Sequence, residues 1–179
     1  MELTTAMKNR RSIRTYKEGK TVDKSTVEAL IQAAQLAPSW KNSQTARYYA
    51  ILSPEKIQEV AEQALPEFNR NNCKNAGALI VTTFVKNRAG FDREGNPDNE
   101  LGNEWGAYDL GLANQNLLLK ATELGLGTLV MGIRDAQVLR TALNIPDDQI
   151  VVSVISVGEA DVDPEMPKRK DVDAIVTFF

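Results

Sequence analysis

The sequence contains no histidine and a single cysteine, Cys73, in 179 residues. The first absence removes Ser-His-Asp and Cys-His catalysis, a histidine general base, and histidine-ligated zinc or non-haem iron. The second removes an intramolecular disulfide framework and any cysteine-rich metal or iron–sulfur site. No stretch approaches the roughly 18 apolar residues of a membrane helix. The polar, basic segment Met1 to Arg14 has no apolar core of signal-peptide length. A net charge of −3 speaks against general nucleic-acid binding. The expectation is a cytoplasmic protein with no nucleic-acid and no membrane partner. Any difficult chemistry must be carried by something it binds.

What is present suffices for a core. With 42% hydrophobic residues, the length fits one domain over residues 1–179. Thr4 to Asn9 reads as a short helix. Asp23 or Ser25 caps a second, with Val27, Leu30, Ile31, Ala34 and Leu36 at helical spacing, ending before Pro38. Tyr48 to Leu52 reads as a strand. Ser53-Pro54 opens a helix that Pro66 ends, leaving a polar segment through Asn72. The β-branched run Ala78 to Val85 is a buried strand. Lys86 to Asn103 reads as a long mobile excursion.

The longest helix runs from about Glu104 to Leu124 with Gly125 as its cap, and it is apolar on more than one side, as at a subunit interface. Thr128 to Met131 and Ile150 to Val157 are strands flanking a helix capped by Asp135, and Ala174 to Phe178 is a last strand candidate. Without regular βαβ alternation, the pattern favours an α+β fold.

Cations gather in two places. Lys8, Arg10, Arg11, Arg14, Lys17 and Lys20 lie in the first twenty residues, and Lys168-Arg169-Lys170 near the end. Arg10-Arg11-Ser12-Ile13-Arg14 offers planar bidentate donors and a hydroxyl to a compact anion such as phosphate, and equally suits a solvated basic turn. Pro38-Ser39-Trp40-Lys41-Asn42-Ser43-Gln44 carries amides that match a heterocycle's donors and acceptors, and also suits an ordinary capped loop. Gly125 to Gly132 brackets a short strand with glycines that let a flat ligand approach the backbone, or that simply serve as cap and turn. The terminal basic knot is otherwise a solvated charge run.

Together, in this order, these segments resemble the nitroreductase family of FMN-dependent oxidoreductases. The likeness spans essentially the whole chain. It rests on R-R-S-x-R at Arg10 to Arg14, A-P-S-x-x-N-S-Q at Ala37 to Gln44, and D-x-G-x-A-x-Q-N-L-L-L at Asp109 to Leu119 running into G-L-G-T. The closing basic K-R-K followed by D-V-D-A-I-V completes it.

The resemblance implies an α+β homodimer, a mainly antiparallel sheet flanked by helices, with the long helix and two FMN sites at the interface. Arg10, Ser12 and Arg14, with Lys168 and one or both of Arg169 and Lys170, would hold the flavin phosphate and ribityl chain. Arg11 would join them or reach the flavin O2 edge. From the partner chain, Pro38, Ser39, Asn42 and Gln44, with Trp40 beside them, would line the isoalloxazine. Backbone from Val130 to Ile133, Met131 and Gly132 above all, would face the ring edge and N5. Trp40, Phe68 and Trp105 are the implied substrate side.

The implied activity is NAD(P)H-driven reduction of nitroaromatics, quinones or another electron-poor acceptor. Alternatives are a specialised relative that fragments flavin or removes halide, with Lys86 to Asn103 as its lid, and a flavin-binding protein without turnover. Two departures stand out. Thr45-Ala46 replaces the Pro-Trp frequent after N-S-Q in the family. Arg134 places a charge after the flavin-edge segment, where it favours an anionic substrate if it faces the pocket and carries no such meaning if it faces solvent.

Overall fold

Ala78–Val85 is buried along nearly its whole length on both faces, which only a central strand between two layers can satisfy. The computed structural model, which describes residues 1–179, supplies both layers. In chain order the elements are α1 (Leu3–Asn9), α2 (Lys24–Gln35), β1 (Ala46–Ile51), α3 (Pro54–Ala64), α4 (Glu67–Asn72), β2 (Ala78–Val85), α5 (Glu104–Glu123), β3 (Gly127–Met131), α6 (Ala136–Leu143) and β4 (Gln149–Gly158). The strands form one antiparallel sheet in the order β1-β2-β4-β3.

Alternate strand residues feed opposite cores. Leu79, Val81, Leu129, Met131 and Val154 pack with Val60, Ala64 and Leu139 of α3 and α6. Ala78, Ile80, Ile155 and Val157 pack with Val27, Leu30, Leu117 and Ala121 of α2 and α5. The α+β expectation, an antiparallel sheet with flanking helices, holds.

The caps follow from side-chain chemistry. Asp23 accepts from the Thr26 N–H, Ser53 from Lys56 N with Pro54 in the first turn, and Asp135 from Gln137 and Val138. Helix α5 closes as its glycine predicts: Gly125 takes φ +75° while Leu126 N donates back to the Ala121 carbonyl at 2.8 Å.

Three expectations are corrected. The polar segment after Pro66 is helical, because the proline stands just before α4 and Glu67 complements its first turn. Lys86 to Asn103 is a turn-rich loop closed on itself: the Asn103 side chain accepts from Asn87 N at 2.7 Å and donates to Asn87 Oδ1 at 2.8 Å. Ala174 to Phe178 makes no strand. One helical turn at Val172–Ala174 is followed by exposed chain, since no strand edge lies beside it to pair with.

Candidate active site

The arginine segment is laid against the sheet by backbone pairing. Ser12 bridges Thr128 in parallel, and Ile13 N donates to the Thr128 carbonyl at 2.9 Å. The approach is close because β3 opens on Gly127, where a Cβ would lie 2.6 Å from Ile13 Cγ1. Tyr16, buried, anchors the far end through Ser156 Oγ at 2.8 Å and the Ile13 carbonyl at 3.1 Å, and burial pushes its phenol pKa upward.

Not all three guanidiniums are equally free. Arg11 is committed to carbonyls, donating to Lys8, to Arg10 at 2.9 Å and to Pro164 at 3.1 Å. That leaves Arg10 and the Ser12 hydroxyl without side-chain partners, and Arg14 with one bond to the Ser12 carbonyl at 3.3 Å. The sequence ranks the three alike; their surroundings do not.

Beyond Thr128 the same strand opens outward. Val130 and Ile133 are exposed, and a Cβ built at Gly132 would meet nothing within 4 Å. Met131 contributes backbone only, because its side chain lies in the core. Asn69, which sequence patterning did not single out, is buried and donates to the Ile133 carbonyl at 2.9 Å, so α4 holds this turn and carries the exposed Phe68 beside it. Its only sequence signal was a polar residue in an Asn-rich stretch. Arg134 is half-buried and spends its charge on the backbone: its Nη2 donates to the Val151 carbonyl at 2.6 Å.

The second group is the loop Ser39–Gln44. Lys41, Asn42 and Gln44 take φ of 46, 55 and 48°, a left-handed conformation that costs non-glycine residues on the order of 1 kcal/mol each. Several bonds hold it. Ser39 accepts from Gln44 N at 3.0 Å, Ser43 N reaches the Trp40 carbonyl at 2.8 Å, and Lys41 pairs with Asp98 at 2.8 Å. Asp109 of α5 accepts from Trp40 N at 2.8 Å. Burial raises the Asp109 pKa and the Trp40 N–H partly offsets it. Trp40 also packs on Trp105, ring centroids 4.6 Å apart. The side chains of Asn42 and Gln44 stay exposed and unbonded.

A cleft of about 370 Å³ runs beside this loop between Pro38, Ser39, Gln44, Tyr48, Asp109 and Ala113. Four of the chain's six buried polar side-chain atoms without a partner lie in residues 40–48: Trp40 Nε1, Ser43 Oγ, Thr45 Oγ1 and Tyr48 OH. Desolvation pushes the Tyr48 phenol up to about 12.

The structure therefore joins Trp40 with Trp105, and Phe68 with the Gly132 turn, but does not unite the two pairs within one chain. Lys168, Arg169 and Lys170 are exposed. Their segment departs beside the arginine turn, where Asp161 N donates to the Thr15 carbonyl at 3.0 Å, and none of the three makes an ion pair.

The chain is thus a three-layer α+β domain with an arginine-rich turn against an open strand edge and an amide-rich loop apart from it. The sequence profile of the Nitroreductase family matches residues 7–159, and the chain belongs to that family. It is an NAD(P)H-dependent oxidoreductase.

A protein of Archaeoglobus fulgidus, provisionally named NADH dehydrogenase/NAD(P)H nitroreductase, is 30% identical over 158 residues, 83% of this chain and 80% of that protein. A nitroreductase family protein from Streptococcus pneumoniae shares the fold at TM-score 0.84 and 23% identity, covering 99% of this chain and 100% of that one. A provisionally assigned nitroreductase from Exiguobacterium sibiricum, solved in complex with FMN, does so at TM-score 0.81 and 22% identity, covering 100% and 98%.

The residues present fit such a cofactor. An unpartnered guanidinium and hydroxyl at Arg10 and Ser12 suit a phosphate. Exposed, unbonded amides at Asn42 and Gln44 suit a ring with alternating donors and acceptors.

Proposed function

We propose that the chain acts as a homodimer that reduces electron-poor acceptors, nitroaromatics or quinones, at two interface sites. The bridge of Ser12 to Thr128 carries this reading, because it sets a free cationic turn along the strand that ends in open space at Gly132. Arg10, Ser12 and Arg14 would bind the FMN phosphate, with Lys168, Arg169 and Lys170 closing from the tail. Backbone from Val130 to Ile133 would lie at the ring edge. The redox chemistry is that of bound FMN, two electrons taken from NAD(P)H and passed to the acceptor. The protein binds, orients and places positive charge and N–H dipoles where reduction accumulates negative charge. Protons come from solvent, which is compatible with a chain lacking histidine.

Sheet order supports the shared site. The arginine turn lies beside β3 and the Ser39–Gln44 loop leads into β1, at opposite edges of the sheet. Three strand spacings, about 14 Å, separate those edges, so a second copy is the natural source of the loop. The exposed apolar tail (Val172, Ile175, Phe178 and Phe179) and the unpaired outer edge of β1 support the same assembly.

An anaerobic spectrum of purified protein tests the activity. A flavin band that bleaches with NADPH or NADH and returns on adding a nitroaromatic or quinone is the expected outcome. A flavin that stays oxidised would leave only a binding protein.

A further inference from the structure

The loop after β2 folds back toward Trp40–Ser43, and the two segments enclose a groove of about 770 Å³ away from the arginine turn. Its lining includes Trp40, Lys41, Ser43, Arg88, Asp92 and Arg93. The acid of the lining, Asp92, and the partner of its lysine, Asp98, are both engaged. Asp92 accepts from Asn96 N at 2.7 Å and from Asn96 Nδ2 at 3.2 Å, and Asp98 is bound to Lys41. Arg88 and Arg93 have neither an ion pair nor a side-chain hydrogen bond.

Two uncommitted guanidiniums around one groove repel each other until an anion enters, and each offers a planar pair of donors matched to carboxylate or phosphate. The groove wall adds two buried donors without partners, Trp40 Nε1 and Ser43 Oγ. Phe91, half-buried in the same lining, supplies an apolar surface for a flat ring.

We propose that this groove binds an anionic substituent of the molecule that exchanges electrons with the flavin, and that Arg88 and Arg93 are its specificity-determining residues. This rests on the flavin-oxidoreductase reading above. The recognised chemistry is a carboxylate or phosphate carried at a distance from a flat, reducible or oxidisable ring. It has two possible sources: the 2′-phosphate of NADPH, or an acid group on the acceptor.

Protein as purified, and its R88Q/R93Q variant, would be titrated with two matched pairs, NADP⁺ against NAD⁺ and 4-nitrobenzoate against 4-nitrobenzamide. Tryptophan fluorescence reports binding without turnover, since both tryptophans of the chain, Trp40 and Trp105, stack beside the groove. The expected result is that the charged member of one pair binds more tightly than the neutral one. That ratio should fall about tenfold in the variant and shrink as salt is added.

A ratio in the nicotinamide pair identifies the phosphate, and one in the nitroaromatic pair identifies the acceptor acid. Equal affinities within both pairs, or a ratio that survives R88Q/R93Q, overturns the proposal. Protein that binds no flavin defeats the redox reading instead, and the same four titrations still decide the groove.

Discussion

The Asp109 carboxylate, 6% exposed on the central helix, accepts the backbone N–H of Trp40 at 2.8 Å across 69 residues of chain. That one bond ties a left-handed loop to the most buried helix of the fold. Asp109→Ala removes the acceptor and leaves the strained backbone to relax. FMN affinity should fall, and Asp109→Asn, which keeps an oxygen at that place, should recover most of it. Flavin titration of the two variants separates positioning from general damage to the helix.

The same carboxylate makes a pH prediction. Its folded pKa is raised by burial above the ordinary Asp value of 3.8, so the native state holds the proton more tightly than the unfolded chain. Its contribution to stability is present below that value and lost as pH rises through the folded pKa. Asp109→Asn cannot ionise. Relative to wild type, it should therefore gain stability as pH rises from the ordinary Asp value of 3.8 through the raised folded pKa, measured as the difference in urea midpoints at each pH.

Arg10 and Arg11 should behave differently despite adjacency. Arg10→Ala removes an uncommitted guanidinium and should weaken FMN by about 1.5–3 kcal/mol. Arg11 spends its donors on the Lys8, Arg10 and Pro164 carbonyls, so Arg11→Ala should cost less flavin affinity and more thermal stability. Equal losses of FMN from both would contradict the distinction.

Gly127→Ala drives a methyl to 2.6 Å from Ile13 Cγ1. The expected cost is about 1–3 kcal/mol of stability, with loosened flavin because the arginine turn is pushed off β3. Adding Ile13→Ala should recover part of the flavin affinity by vacating the contested space.

Removing residues 162–179 should shift the protein toward monomer in sedimentation and release flavin, since both the basic knot and the exposed apolar side chains go with them. A truncated protein that stays dimeric with full flavin would assign the interface to other surfaces.

Much of this molecule was legible in its sequence because the signals are local. Helix caps at Asp23, Ser53 and Asp135, and the Gly125 terminator, act within four residues of themselves. The run Ala78–Val85 announces two buried faces by composition alone. The order of the motifs likewise led to the family that the profile match shows.

Other features exist only once the chain is folded. Arg10 and Arg11 are identical in sequence chemistry, and the carbonyls of Lys8, Arg10 and Pro164, all taken by Arg11, separate the free one from the committed one. Asn69 acquires a role because α4 brings it to the Ile133 carbonyl, 64 residues away. Ala174–Phe178 has a strand's composition and no strand, since pairing needs a neighbouring edge that composition cannot supply. The sequence by itself determined most of the helices and strands, and which cations and amides are available, because those depend on short-range capping and periodicity. The tertiary structure alone decided which of them remain unpartnered, because that depends on contacts between residues distant in the chain.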